Sequence, residues 1–597
     1  MPGHAGSHGS ASSCSADIVV VGGGLAGLAT AELLGRSGRS VVVLEAQARV
    51  GGRILTEGAA DLGAMFVGAT HARLRALIAR LGLGGVRPLP ARGAKVVVTA
   101  AGARRTFRGT IPPLGLAPLL ELQVGIIWRL DAMAAQVDPA VPGRCRHAAA
   151  WDATSVGEWA RRHLWTAGAR AALELSCALV FGRAAADLSL LFFLAYVRGA
   201  GGLEQLVETR GAAQDATVRG GAQAICEALR RRVQDEEGAA AAATAAATAC
   251  GGGGGGASSS SVQLGMRVKS VVYGGAGEGW RVVAQDEGGG GRTVFRCRRV
   301  VMALAASAVR RTAIRFRPPL PPLRARLLQR ARTGWYTKAV VGFAAPAWRQ
   351  RGLCGEAMAM APCLRFPVLA TFDDCAEEEE EKEVGVAEEE KEEKEEKEEE
   401  EEEEEEGGGA GGGGRAAKPP HAALACFIAG DMARQLAGAG ATERKAAVLR
   451  SLGRMFPGSA LPAAGPLSYA EYQWAEDAWA GGGPTDGFGA GDGFAELAPP
   501  AHVTCALGAE GDAEGVLVWA GTETSPEWTG YMEGALCSAE RAVAELCGGG
   551  APCQHNSPTA HSRGGAALVL RGLCIAGLVV LLAMLCQPFV AAFSAKT

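Results

Sequence analysis

The chain has 597 residues, a hydrophobic fraction of 48% and a net charge of −3, values that exclude a wholly disordered or fibrous protein and leave room for several cores. The near-neutral total conceals an acidic tract, Glu377 to Glu406, with 22 Glu and 4 Lys, so the remainder carries surplus positive charge; no basic stripe with interleaved aromatics accompanies it, which argues against a nucleic-acid partner. The 16 cysteines form no CxxC pair and no Cys/His quartet, so neither a disulfide framework nor a zinc site is indicated and no metal is expected.

Residues 1–16 have neither a basic start nor an apolar run and read as a disordered N-terminus without a secretory signal. Asp17 to Glu45, "DIVVVGGGLAGLATAELLGRSGRSVVVLE", reads as a buried strand, a glycine turn, a helix with apolar positions Leu25, Leu28, Ala29 and Leu33, and a second buried strand. In that frame Gly22 permits the tight turn, Gly24 lets the backbone approach a pyrophosphate at the helix N-terminus, and Gly27 lets helix and strand pack closely. Glu45 ends the second strand, where a carboxylate accepts hydrogen bonds from an adenosine ribose.

Two low-complexity stretches, 238–261 and 375–417, cannot bury a core and are expected to loop out without carrying chemistry. The first falls between a helix ending near Arg232 and the strand-like Val268 to Gly274, the second between "PVLATFDD" and "ALACFIAG", which both read as strands. Further on, "VLVWAG" reads as an apolar strand, and "MEGALCSAERAVAEL" as an amphipathic helix whose N-terminus is aimed at whatever the first motif holds. Leu573 to Phe593 is apolar except for Gln587 and would span about 31 Å as a helix, the thickness of a bilayer core. A single C-terminal anchor is the expectation.

The turn "RVGGRILT", Arg49 to Thr56, placed directly after Glu45, resembles that of the flavin-containing amine oxidases, and the likeness is closest to the monoamine oxidase branch. It continues in order through "DLGAMFVGATHARLRALIARLGL", "WDATSVGEWARRHLWT", the long block Leu188 to Ile225, "YTKAVVGFAAPAWR", "YAEYQWAEDAWAGG" and "VLVWAGTETSPEWTGYMEGALCSAERAVAEL". The fold class it implies is α/β: a discontinuous FAD-binding Rossmann-like domain (17–88, 214–304, 475–547), an α+β substrate domain (89–213, 305–474), a linker (548–571) and a C-terminal transmembrane helix (572–593).

By this resemblance Gly52 and Arg53 reach the FAD pyrophosphate, Val268 meets the adenine through its backbone, and Gly521, Thr522, Glu523 and Met532 contact the flavin end. Tyr531 matches one of two tyrosines that wall the amine slot, and Lys338 matches the lysine that holds a water against flavin N5. Tyr196, Leu206, Val207 and Gln214 match pocket positions, and Phe66 replaces a family tyrosine. Strand alternation does not tell which face of "YTKAVVGF" points inward, and His71, His163, His421 and His502 are isolated and receive no role. Where the family pattern reads Gly-Gly-Cys-Tyr, this chain has Gly481, Gly482, Gly483 and Pro484. The thioether tether is therefore lost, FAD is expected to be non-covalent, and the slot loses its second tyrosine.

The implied reaction is FAD-dependent oxidation of an amine to an aldehyde with O2 reduced to H2O2. A polyamine, amino-acid or other substrate oxidase or desaturase of the same superfamily, or a non-enzymatic membrane flavoprotein, is the alternative; an amino acid would call for an Arg in the pocket and a polyamine for an acidic funnel. The resemblance further implies the mitochondrial outer membrane as first location and allows a homodimer.

Overall fold

Ser12–Val21 ends in a run of β-branched residues that is buried on both faces: Val19 and Val21 pack into one core, Ile18 and Val20 into another. Its parallel neighbour Val41–Leu44 divides in the same way, with Val42 and Leu44 in the first core and Val41 and Val43 in the second. Continuous apolar strands of this kind belong inside a parallel sheet covered on both sides. The computed structural model describes residues 12–90, 92–109, 112–113, 115–234, 260–275, 277–375, 422–497, 505–506 and 515–547.

These strands lie in a nine-stranded sheet that begins Ser261–Gln263, Val41–Leu44, Ser12–Val21, Arg292–Met302 and then divides. The C-terminal end of Arg292–Met302 pairs in parallel with Val516–Trp519, which in turn takes Cys505–Ala506 antiparallel, while its N-terminal part pairs antiparallel with Trp280–Asp286, which leads on to Met266–Tyr273 and Arg315–Arg317. Helix Leu25–Gly35 shares a core with the last described helix, Met532–Cys547, through Leu25, Leu28 and Leu34 on one side and Met532, Leu536 and Ala539 on the other. The two ends of the described chain thus share one core.

The second sheet has seven strands in the order Ser468–Gln473, Tyr336–Phe343, Ala422–Ala429, Ala370–Asp373, Leu353–Ala359, Ala94–Val98, Arg104–Phe107. Two helices complete the site's surroundings. Ala167–Phe181 starts at Thr166, whose hydroxyl accepts from Ala169 N–H, and stops at Gly182 in the left-handed region. Leu190–Gly199 is buried on every side from Leu190 to Val197, as expected for a helix apolar all round, and Ser189 caps it through Phe192 N–H.

The strands expected on either side of the acidic insert pair directly with each other, antiparallel, with Asp373 opposite Leu424. Residues 376–417 of the insert and 238–259 of the first low-complexity run lie outside the described residues; the ends expected to loop out with them do not, since Ser261 pairs with Val42 in the large sheet and Cys375 is buried. The apolar segment Leu573–Phe593 also lies outside them; among the described residues no helix is long and apolar enough to cross a membrane.

Candidate active site

Gly22 has φ of +110°, and a Cβ there would lie 2.7 Å from Ala303 O, so the turn demands glycine. At Gly27 a Cβ would lie 2.0 Å from Gly22 O, which is the close helix-on-strand approach expected of the motif. Gly24 differs: a Cβ would meet nothing closer than Gly51 O at 4.0 Å, so the front of the turn is clear. Gly51 N–H donates to Gly23 O at 2.9 Å and clamps the second glycine turn, with Gly52 and Arg53, alongside the first.

Glu45 accepts from Gly23 N–H at 2.7 Å and from Gln47 N–H at 2.8 Å. Burial pushes its carboxyl above the usual range, and these donors pull the other way. A carboxylate offers about four acceptor sites, so lone pairs remain for ribose hydroxyls. Gly22, Gly24, Glu45, Gly52 and Arg53 open onto a cavity of about 460 Å³ that also reaches Val268, Gly521, Thr522 and Met532. Helix Leu25–Gly35 begins at this cavity with no side chain capping its first N–H groups. The clear glycine cradle, the uncapped helix start and the buried acceptor together fit the pyrophosphate and ribose of FAD.

Arg53 and Glu523 form a forked ion pair, Nη1 to Oε1 at 2.5 Å and Nη2 to Oε2 at 3.1 Å, and Arg53 Nη1 also donates to Pro484 O at 2.7 Å. Burial alone would raise the Glu523 carboxyl, but the guanidinium outweighs it and holds the acid below the usual range. Glu523 does not line the main cavity; it sits behind Arg53 and orients it.

The same cavity continues to Lys338, Tyr531, Tyr196, Leu206, Val207 and Gln214. Both faces of Tyr336–Phe343 are buried, which is why alternation was silent, and Lys338 points inward at 2% exposure. Its Nζ donates to Gly63 O at 3.1 Å and to Met65 Sδ. Burial lowers its pKa to about 8, against opposing pulls from Asp61 and Asp374. The rings of Tyr531 and Tyr196 stand 6.4 Å apart with a 46° tilt. Gln214 donates to Leu206 O at 3.0 Å and keeps a buried carbonyl oxygen with no partner among the described residues, so it can accept from a ligand. Phe66 packs edge-on to Phe372 at 5.0 Å.

Tyr336, Trp474 and Trp479 also line the cavity, and sequence reasoning assigned them nothing. The signal for Tyr336 was present: it precedes Lys338 by two residues on one strand and so shares its face. Tyr336 is anchored by a hydrogen bond to Leu179 O at 2.9 Å and Trp474 by one to Leu62 O at 2.9 Å. A Cβ on Gly483 would meet Trp474 at 3.9 Å and Tyr336 at 4.0 Å, so both aromatics flank the wall formed by Gly483 and Pro484.

The family of flavin containing amine oxidoreductases matches residues 25–547 of this chain. A putative flavin-containing monoamine oxidase of Mycobacterium tuberculosis, AofH, is 30% identical over 89% of this chain and 96% of its own length. The flavin-containing amine oxidase B of Homo sapiens is 27% identical over 89% and 86%. Among solved structures, a putrescine oxidase bound to putrescine has a TM-score of 0.71 at 22% identity, covering 90% of this chain and all of that one, and shows a common fold. Cyclohexylamine oxidase from Brevibacterium oxydans has a TM-score of 0.69 at 25% identity, covering 89% and 99%. With the glycine cradle, the Arg53 clamp and the Lys338–Tyr531 cavity joined in one fold, the chain belongs to the flavin containing amine oxidoreductase family and is an FAD-dependent amine oxidase.

Proposed function

We propose that the protein oxidises an apolar monoamine, R-CH2-NH2 + O2 + H2O giving R-CHO + NH3 + H2O2, with FAD held non-covalently. The observation that carries the substrate class is the cavity lining. Its charged side chains, among the described residues, are Glu45 at the glycine turn, Arg53 committed to Glu523, and Lys338; beyond Tyr531 the walls are residues such as Phe66, Leu122, Leu175, Met358 and Phe372. At that end, among the described residues, no carboxylate lines the cavity to hold the second ammonium of a polyamine, and no free guanidinium to fork an amino-acid carboxylate.

FAD, when bound, supplies the two-electron oxidation of the C–N bond and passes the electrons to O2. The chain's own groups prepare the substrate. An apolar enclosure disfavours the ammonium form, so the amine sheds its proton on entry and presents a lone pair. Tyr531 and Tyr196 wall the slot with aromatic faces, and Gln214 Oε1 accepts from the amine. Protonated Lys338 has three N–H groups; two are taken by Gly63 O and Met65 Sδ, which leaves one for a water or an oxygen species in the cavity.

Non-covalent FAD is supported by Gly483, which has no side chain to form a thioether. A membrane setting, with the mitochondrial outer membrane first in line, is supported by the apolar Leu573–Phe593. It is further supported by the segment Leu116–Trp128, which exposes Leu116 and Val124 outward while Leu122 and Ile126 line the cavity. A homodimer belongs to the same reading by family likeness. Peroxide release should be screened with benzylamine, phenylethylamine, putrescine, spermidine and L-amino acids; faster turnover of a diamine or an amino acid than of every arylalkyl monoamine would overturn the substrate class.

A further inference from the structure

We infer that His71 is a positioning residue for Tyr531: its ring, with that of Trp528, forms an aromatic buttress that holds the cavity tyrosine in place. This rests on the amine-oxidase reading of the cavity. His71 is fully buried, and its Nδ1 accepts from Gly68 N–H at 2.8 Å, which leaves the proton on Nε2. Nε2 has no hydrogen-bond partner among the described residues. The imidazole instead lies against aromatic rings, 4.4 Å and 76° from Trp528 and 5.6 Å and 67° from Tyr531. Trp528 and Tyr531 stand 5.1 Å apart at 79°, so the three rings close a triangle of mutual edge-to-face contacts.

Edge-to-face contacts of this kind are individually weak and favourable, and three of them hold the rings in mutual register. Burial lowers the His71 pKa to about 3, with Arg75 adding to the effect, so the ring stays neutral. Trp528 pays for its place with a left-handed φ of +49°. Its backbone is pinned at both sides, N–H to Gly199 O at 3.1 Å and O to Tyr531 N–H at 3.0 Å. Thr522 Oγ1 donates to Tyr531 O at 2.9 Å, which fixes the tyrosine backbone, while its ring meets those of His71, Trp528 and Tyr196.

Two substitutions in the flavin-loaded full chain separate this role from simple core packing. His71→Asn keeps an acceptor for Gly68 N–H and removes the ring; His71→Phe keeps a ring and removes the acceptor. The probe is cumylamine, an arylalkylamine with no hydrogen on its α-carbon, whose binding is read from the flavin absorbance change without turnover. Loss of ring contacts should weaken cumylamine about tenfold in His71→Asn, whereas His71→Phe should stay within about twofold of wild type. The reverse order, or equal affinities in all three proteins, overturns the proposal. If His71→Asn does not retain flavin, Trp528→Leu decides, since it leaves the Gly68–His71 hydrogen bond intact: a similar weakening supports the buttress and unchanged affinity overturns it. A wild-type protein that shows no amine-dependent flavin change overturns the amine site together with this proposal, whereas a binding wild type with an unaffected His71→Asn overturns the buttress alone.

Discussion

Arg53 and Glu523, drawn from opposite ends of the described chain, meet as a forked ion pair, and Arg53 also donates to Pro484 O. One guanidinium thus ties the second glycine turn to two segments of the cavity wall. Removing one partner of a pair this enclosed costs roughly 3 kcal/mol, because the other charge is left uncompensated. Arg53→Ala should lower the thermal unfolding midpoint and the flavin content of purified protein, and Glu523→Gln should do so less. Unchanged flavin content in Arg53→Ala would show that the pair does not organise the cofactor end.

The same pair sets an acid limit. The folded-state pKa of Glu523 is depressed, so its contribution to stability is present above the ordinary value of 4.5 and is lost as pH falls through the lowered folded value. Wild-type protein should lose stability in that acid window, and Glu523→Gln should flatten this part of the profile. Parallel acid profiles for the two proteins, followed by flavin fluorescence, would contradict the assignment.

Lys338, buried with a pKa of about 8 against an ordinary 10.5, also has a lowered pKa, but here the charged form is the one that the fold disfavours. Below pH 8 the buried ammonium is a standing cost; between about 8 and 10.5 the unfolded state binds more protons, so this group favours the fold increasingly as pH rises. Its positive charge, and with it the third N–H, is lost as pH rises through about 8. Reoxidation of reduced enzyme by O2 should therefore slow above pH 8, and Lys338→Met should remove this step and reduce the rate roughly 100-fold, as loss of one preorganised donor does. Stopped-flow reoxidation across pH 6.5 to about 9.5 checks both.

Much of this was legible before the structure, and the division follows a physical line. The Gly22 to Glu45 unit could be read because strand, turn, helix and strand are contiguous and each glycine answers to a local contact. Lys338 could be named but not oriented, because both faces of its strand are buried and alternation carries no signal there. His71 and Tyr336 were passed over because what gives them meaning, Trp528 with Tyr531 and the Gly483 wall, lies far along the chain. Likewise Arg53 and Glu523 were each assigned to the cofactor, and their attachment to each other appeared only in three dimensions.

Two neighbouring glycines should respond differently to substitution. Gly482 has φ of +142° and a Cβ there would lie 2.4 Å from Gly334 O, so Gly482→Ala should destabilise the protein by about 2 kcal/mol or more. Gly483 is free of both constraints, its nearest contact being 3.9 Å. Gly483→Cys should fold normally and restore a tethering thiol. Acid precipitation should leave flavin in the supernatant for wild type and in the pellet for Gly483→Cys.

The acidic insert should be dispensable for chemistry. Because Ala370–Asp373 and Ala422–Ala429 already pair antiparallel, a short turn can join them. Replacing 376–421 by four or five turn residues should leave the melting temperature within a few degrees and kcat within about twofold. A fall in turnover with an intact fold would assign the insert a catalytic role.

The central claim, that an apolar cavity oxidises neutral monoamines, is tested most directly by anaerobic mixing of flavin-loaded protein with benzylamine, putrescine and an L-amino acid while the flavin band is followed. The account predicts rapid bleaching by benzylamine, at least about tenfold faster than by putrescine at equal concentration, and none by the amino acid. Bleaching led by putrescine or by the amino acid, or no bleaching by any amine, would contradict it.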